Sequence, residues 1–274
     1  MTIKTRNRLN LSLFVVSLVF LFANILILFI SLYKNSFTLD LSSFIPQDNP
    51  SFFLTQYNPT VVIIALFFQI VYVCITSFML FRVFEKTQAS DISYFYLFLI
   101  ALLANSLRLW IPLFNLGNSY SSLMVFCGKS VVFSKMLVPL SLLFSVVMAG
   151  IDQRQDLEKN IFILLLGCIF FSQLIPLNTA NICSNFEVDY SYRNVIRISS
   201  VLVILAMLIA LFFNNLHRLY TQITTIGLAL ISTGTFILFN SCSILFLGIA
   251  FILLLVGNIL YLKELHKQYL WNDV

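Results

Sequence analysis

Arg108, Lys129, Lys135, Arg193 and Arg197 are the residues whose type and placement promise chemistry, because each stands in or beside a long apolar run. An ionised side chain deep in lipid costs from ~2.5 kcal/mol upward unless it faces a partner or water. Gathered together, these five cations would form a basic vestibule for a carboxylate, a phosphate or a lipid headgroup. The competing reading is local. Lys129 and Lys135 would snorkel to the headgroups, Arg108 would bond nearby carbonyls or Asn105, and Arg193 and Arg197 would pair with Glu187 and Asp189.

The cysteines offer a second chemistry. The five are scattered with no CxxC pair and no histidine nearby, so neither a metal site nor a redox motif is read, and no cofactor is expected. Cys127, Cys183 and Cys242 thread to one side, where Cys183 with Cys242 is the candidate disulfide and three free thiols the alternative. All eleven acidic residues read as loop or tail residues, and neither His217 nor His266 lies mid-run. The interior therefore shows no ordinary proton relay of the kind coupled transporters use. The seventh run has no lysine for a retinal Schiff base, and HExxH, GxSxG, P-loop and GxGxxG patterns are absent. The expectation is a protein that is not an enzyme.

The elements that must carry these residues follow from composition. Mean hydropathy is +0.97, with 60% hydrophobic and 10% charged residues, a balance that one water-soluble core could not hide. A span needs about 20 mostly apolar residues, and the runs are too long and unbroken for barrel strands. The expected fold is all-α, a polytopic helical membrane protein with eight spans at 9–33, 60–82, 92–114, 131–150, 161–177, 198–213, 222–239 and 244–262. As organisation this is one helical transmembrane domain: an anchor helix with an outer connection (1–59), a seven-helix core (60–262) and a short cytoplasmic tail (263–274). Within it, a short amphipathic piece is read around Phe37–Ile45, a turn over Asn115–Tyr120, an interfacial stretch over Ser121–Ser130 and a kink at Pro139. The hydroxyl-rich seventh span should sit inside the bundle, and Gly248 and Gly257 are candidates for a close helix contact.

Threaded with both termini inside, the cytoplasmic segments hold ten of the sixteen basic residues, as the positive-inside bias requires. The five candidate cations then fall near the outer surface. The net charge of +5 is spread over short loops, with no stripe or recognition helix, so no nucleic-acid partner is expected.

The text Phe81–Arg82, Glu85–Lys86 and Ser93–Tyr94–Phe95–Tyr96–Leu97–Phe98–Leu99 resembles the seven-helix sensor regions of bacterial signalling receptors, over about residues 60–262. Those regions repeat a short charged inner loop followed by an aromatic-rich helix start. The resemblance implies a bacterial cytoplasmic membrane, sensing of a small ligand or of envelope state, and a separate signalling protein to carry the output, since no output domain follows Leu262. It assigns no functional residues. The function expected is a sensor-like or scaffold module whose outer basic vestibule holds a small anion or lipid headgroup; the alternative is a permease or transport subunit for a small anion.

Overall fold

The computed structural model describes residues 3–33, 54–84, 90–114, 116, 122–149, 157–216 and 220–271. Helices α1 (Ile3–Tyr33), α2 (Pro59–Val83) and α3 (Ser90–Ser106) come first, and α3 tightens through a 3-10 turn at Leu107–Leu109 into the short α4 (Trp110–Leu113). Then follow α5 (Ser122–Ala149), α6 (Leu157–Leu174), strands β1 (Leu177–Ile182) and β2 (Val188–Tyr190), α7 (Arg193–Leu216), α8 (Gln222–Phe239) and α9 (Ile244–Trp271). Eight helical segments, with α3 and α4 counted as one, are long and apolar enough to cross a membrane.

Contacts between helix ends make these segments alternate in direction. At one end the Asn214 amide donates to the Val146 carbonyl (2.7 Å), the Tyr220 hydroxyl donates to Asp91 Oδ2 (2.7 Å), and the Phe84 ring meets His266. At the other, Asn58 N donates to Cys242 O (3.0 Å) and the Tyr57 hydroxyl to Ser184 O (2.7 Å). The middle of α3 is the centre of the packing, with Phe95, Phe98, Leu99 and Leu102 fully enclosed. α1 lies at the margin and buries small polar residues seven apart, Asn10, Ser17, Asn24 and Ser31, along with Leu13, while many of its other apolar side chains are exposed. Such seams let helices approach and bond one another in an apolar medium, and here Trp110 Nε1 donates to Asn24 Oδ1 at 3.1 Å.

Helix α8 is half buried, as its small residues anticipated. Its closest approach is to α9 at Gly227 and Gly257, where a Cβ on Gly227 would stand 2.8 Å from Tyr261 N and one on Gly257 2.9 Å from Gly227 O. Gly248, the other glycine singled out, faces open space.

Several boundaries differ from the sequence reading. α5 begins at Ser122, so residues 122–130 continue the same helix as the fourth span, and Pro139 sits inside it. α6 starts at Leu157, α7 takes in both Arg193 and Arg197, and α9 runs on through the segment read as a tail. The Phe37–Ile45 piece and most of Asn115–Tyr120 lie outside the described residues.

The polar connection after α6 is a β-hairpin that drops into the bundle. Phe186 N donates to Cys183 O (2.9 Å) and Cys183 N to Glu187 O (2.8 Å), with Phe186 in the left-handed region at φ 60°. This is the three-residue hairpin loop in which a turn is followed by one left-handed residue, a position that ordinarily favours glycine. Phenylalanine holds it because its ring is fully buried against Tyr57, Val62, Leu66, Leu109 and Leu113. Irregular backbone at membrane depth is tolerated only inside protein, and Asn185, Glu187 and Val188 are all buried.

Candidate functional site

The hairpin reaches its position because α5 leaves room for it. A Cβ at Gly128 would lie 2.8 Å from Leu177 Cδ1 and 3.2 Å from Val188 Cβ, so any larger residue there would make the side chains of both strands give way. The loop then delivers Glu187, whose side chain is fully enclosed. Arg108 Nη1 donates to Glu187 Oε1 at 2.7 Å and Lys135 Nζ to Oε2 at 2.6 Å; Lys135 also bonds the Tyr190 hydroxyl at 3.2 Å. Arg193 Nη2 lies 3.6 Å from the same carboxylate, and its Nη1 donates to Cys183 Sγ at 2.9 Å.

Each cation is placed by a local feature of its helix. Arg108 sits in the 3-10 turn that joins α3 to α4. Lys135 lies one turn before Pro139, which has no N–H to give the Lys135 carbonyl. Ser200 of α7 donates to that carbonyl instead, at 3.4 Å, and so ties α7 to α5 beside the site. Arg193 opens α7, directly after the hairpin.

Burial by itself would raise the carboxyl of Glu187, but Lys135, Arg108 and Arg193 outweigh it and hold the group below its ordinary value. Glu187 is therefore an anion in the fold. Burial pushes the Tyr190 hydroxyl up against the opposing pull of Lys135, and it raises the thiols of Cys183 and Cys242. These sulfurs are protonated and lack the thiolate character that reactive cysteines need.

Beside this cluster a cavity of about 70 Å³ lies between α5, α7 and α8. At roughly 10–15 Å³ per water-sized probe it has room for a small oxyanion. Lys135, Arg193 and Arg197 stand in its wall with Tyr190, Ser200 and Thr235, and among the described residues no carboxylate lines it. One carboxylate, Glu187, thus serves three cations, Arg108, Lys135 and Arg193, while Arg197 stands in the cavity wall.

Three of the five predicted cations, Arg108, Lys135 and Arg193, converge on Glu187; Arg197 joins them in the cavity wall. Lys129 does not. Its ammonium turns to the end of α6 and donates to the carbonyls of Gln173 (2.9 Å) and Ile175 (2.5 Å). Of the local pairings read from sequence, Arg193 with Glu187 is present at 3.6 Å, but Glu187 goes chiefly to Arg108 and Lys135, and among the described residues Asp189 has no ion-pair partner. Asn105 gives its amide to Gln69 Oε1 (3.0 Å), not to Arg108. Cys183 and Cys242, the candidate disulfide, are free thiols, the first turned to the Arg193 guanidinium.

The sequence reading names Glu187 only as a loop partner for Arg193 and Arg197, not as the buried carboxylate on which Arg108 and Lys135 also converge. Its signal was an acid between Phe186 and Val188 in an otherwise polar connection, since a lone carboxylate between large apolar residues follows them into the interior. Compared with protein-family models, curated proteins and solved structures, the chain matches none.

Proposed function

We propose that this is an eight-span protein of a bacterial cytoplasmic membrane with both termini inside, whose outer vestibule binds a small anion as the input of a non-enzymatic, sensor-like module. The observation that carries this reading is the cavity wall, where Lys135, Arg193 and Arg197 stand and no carboxylate is found among the described lining residues. Unbalanced charge of one sign in a low-dielectric recess concentrates the opposite ion. Arginines are suited to carboxylate and phosphate because their planar forks bond both oxygens. Glu187 supports the same reading from behind, by fixing Lys135 and Arg193 in position while cancelling only part of their charge.

A ligand that binds only the native state raises the unfolding temperature with concentration. Inorganic phosphate titrated against the purified protein in micelles, at constant ionic strength, is expected to stabilise it saturably. Arg197→Gln, which touches no carboxylate, should remove that response and leave the ligand-free unfolding temperature in place. A response that persists in Arg197→Gln, or that chloride reproduces at equal strength, speaks against the site.

A further inference from the structure

On the opposite flank of the α5–α7 seam lies a larger recess that shares Lys135, Pro139 and Ser200 with the vestibule. It has a volume of about 410 Å³ and runs between α5, α6 and α7, walled by Met136, Leu140, Phe144, Ile163, Gly167 and Phe171. Polar groups occur only toward its ends: Asn160 at one, Lys135, Ser199 and Ser200 at the other. A Cβ built on Gly167 would meet nothing within 4 Å, so the groove is open where α6 could have closed it with a side chain.

Two measurements indicate what fits. Asn160 and Phe171, its limits along α6, lie ~16 Å apart at ~1.5 Å per residue, which is close to half of the ~30 Å hydrocarbon layer. Just beyond Phe171, at the level of the Gln173 and Ile175 carbonyls, sits the Lys129 ammonium, and among the described residues it meets no carboxylate. Lys135 at the same end is already engaged by Glu187 and Tyr190. The free positive charge is therefore held about one helical turn above an apolar slot one leaflet deep.

We infer that this groove holds one acyl chain of an anionic membrane lipid, with the lipid phosphate on Lys129. The vestibule binds its anion through Arg193 and Arg197, whereas this site recognises a chain first and a charge second. It rests on the membrane reading above but not on occupancy of the vestibule.

The test is native mass spectrometry of the full-length protein purified with equal amounts of phosphatidylglycerol and phosphatidylcholine of the same chains. The expected spectrum shows one retained lipid per chain, with phosphatidylglycerol favoured about tenfold. Lys129→Gln keeps a donor for the two carbonyls and should bring the preference close to one at an unchanged unfolding temperature. Gly167→Leu fills the slot and should strip both lipids, while Arg197→Gln should change neither. Equal retention of the two lipids by the native chain overturns the site and leaves the membrane reading standing. So does a preference that survives Lys129→Gln, full occupancy in Gly167→Leu, or a lipid-free dimer in which a second copy covers the groove.

Discussion

Glu187→Gln is the substitution that most separates a keystone carboxylate from an incidental one. It preserves shape and removes the charge, leaving Arg108 and Lys135, with side chains only 2% and 13% exposed, facing each other without a counter-ion. Breaking a buried pair in this way costs about 3–5 kcal/mol. Arg108→Met removes one charge-assisted bond while Glu187 keeps Lys135 and Arg193, so a loss of about 1.5–3 kcal/mol is expected. Arg193 is 41% exposed and 3.6 Å from the carboxylate, which puts Arg193→Gln within the ~0–1 kcal/mol of a screened pair. The Arg108→Met/Glu187→Gln double variant should fall short of the summed losses by about 1–3 kcal/mol, because the two residues act on the same contact. Equilibrium unfolding in micelles, followed by tryptophan fluorescence, measures all four variants. Additive losses for Arg108→Met and Glu187→Gln, or an Arg193→Gln as costly as Glu187→Gln, would refute the reasoning.

Two further outcomes follow from the same geometry. A carboxylate whose folded pKa lies below its unfolded one contributes stability that is present above the unfolded value and lost as pH falls through the folded one. Since Glu187 is shifted down, acid unfolding scans should show a stability slope below the ordinary carboxylate range that Glu187→Gln abolishes; an unchanged slope would discount the ion cluster. At the α8–α9 contact, Gly227→Ala forces backbone apart and should cost about 1–3 kcal/mol, whereas Gly248→Ala, in open space, should be neutral within about 0.5 kcal/mol in an exposed helix; equal effects of the two would discount the close approach.

How much of this was legible follows from what each feature depends on. Eight long apolar runs are visible one residue at a time, and the structure has eight helices long and apolar enough to cross a membrane. Their ends were less so: one helix from Tyr120 to Gly150 is longer than a single crossing requires, which sets Ser121–Ser130 apart, yet the chain is helical from Ser122 and meets the hairpin at Gly128. The cations were found because charge in an apolar run is conspicuous. The central place of Glu187 was not legible, because its burial depends on a left-handed Phe186 and a hairpin whose tertiary packing no periodicity announces. Lys129 resembles Lys135 in sequence, and only the placement of α6 separates their partners.

The sign of the potential in the vestibule, and the side it opens to, can be read in one experiment on intact cells. Asn240 is exposed at the rim of the cavity, and Asn240→Cys in a chain whose five native cysteines are replaced by serine or alanine gives that point a single thiol. Its reaction with impermeant anionic and cationic methanethiosulfonates, each referred to a cysteine on a neutral surface, reports the local potential, a tenfold bias corresponding to about 1.4 kcal/mol. An outward-facing basic vestibule gives labelling without permeabilisation and at least about a tenfold bias toward the anionic reagent, lost in Arg193→Gln/Arg197→Gln. Labelling only after permeabilisation, or a ratio at or below one, contradicts it.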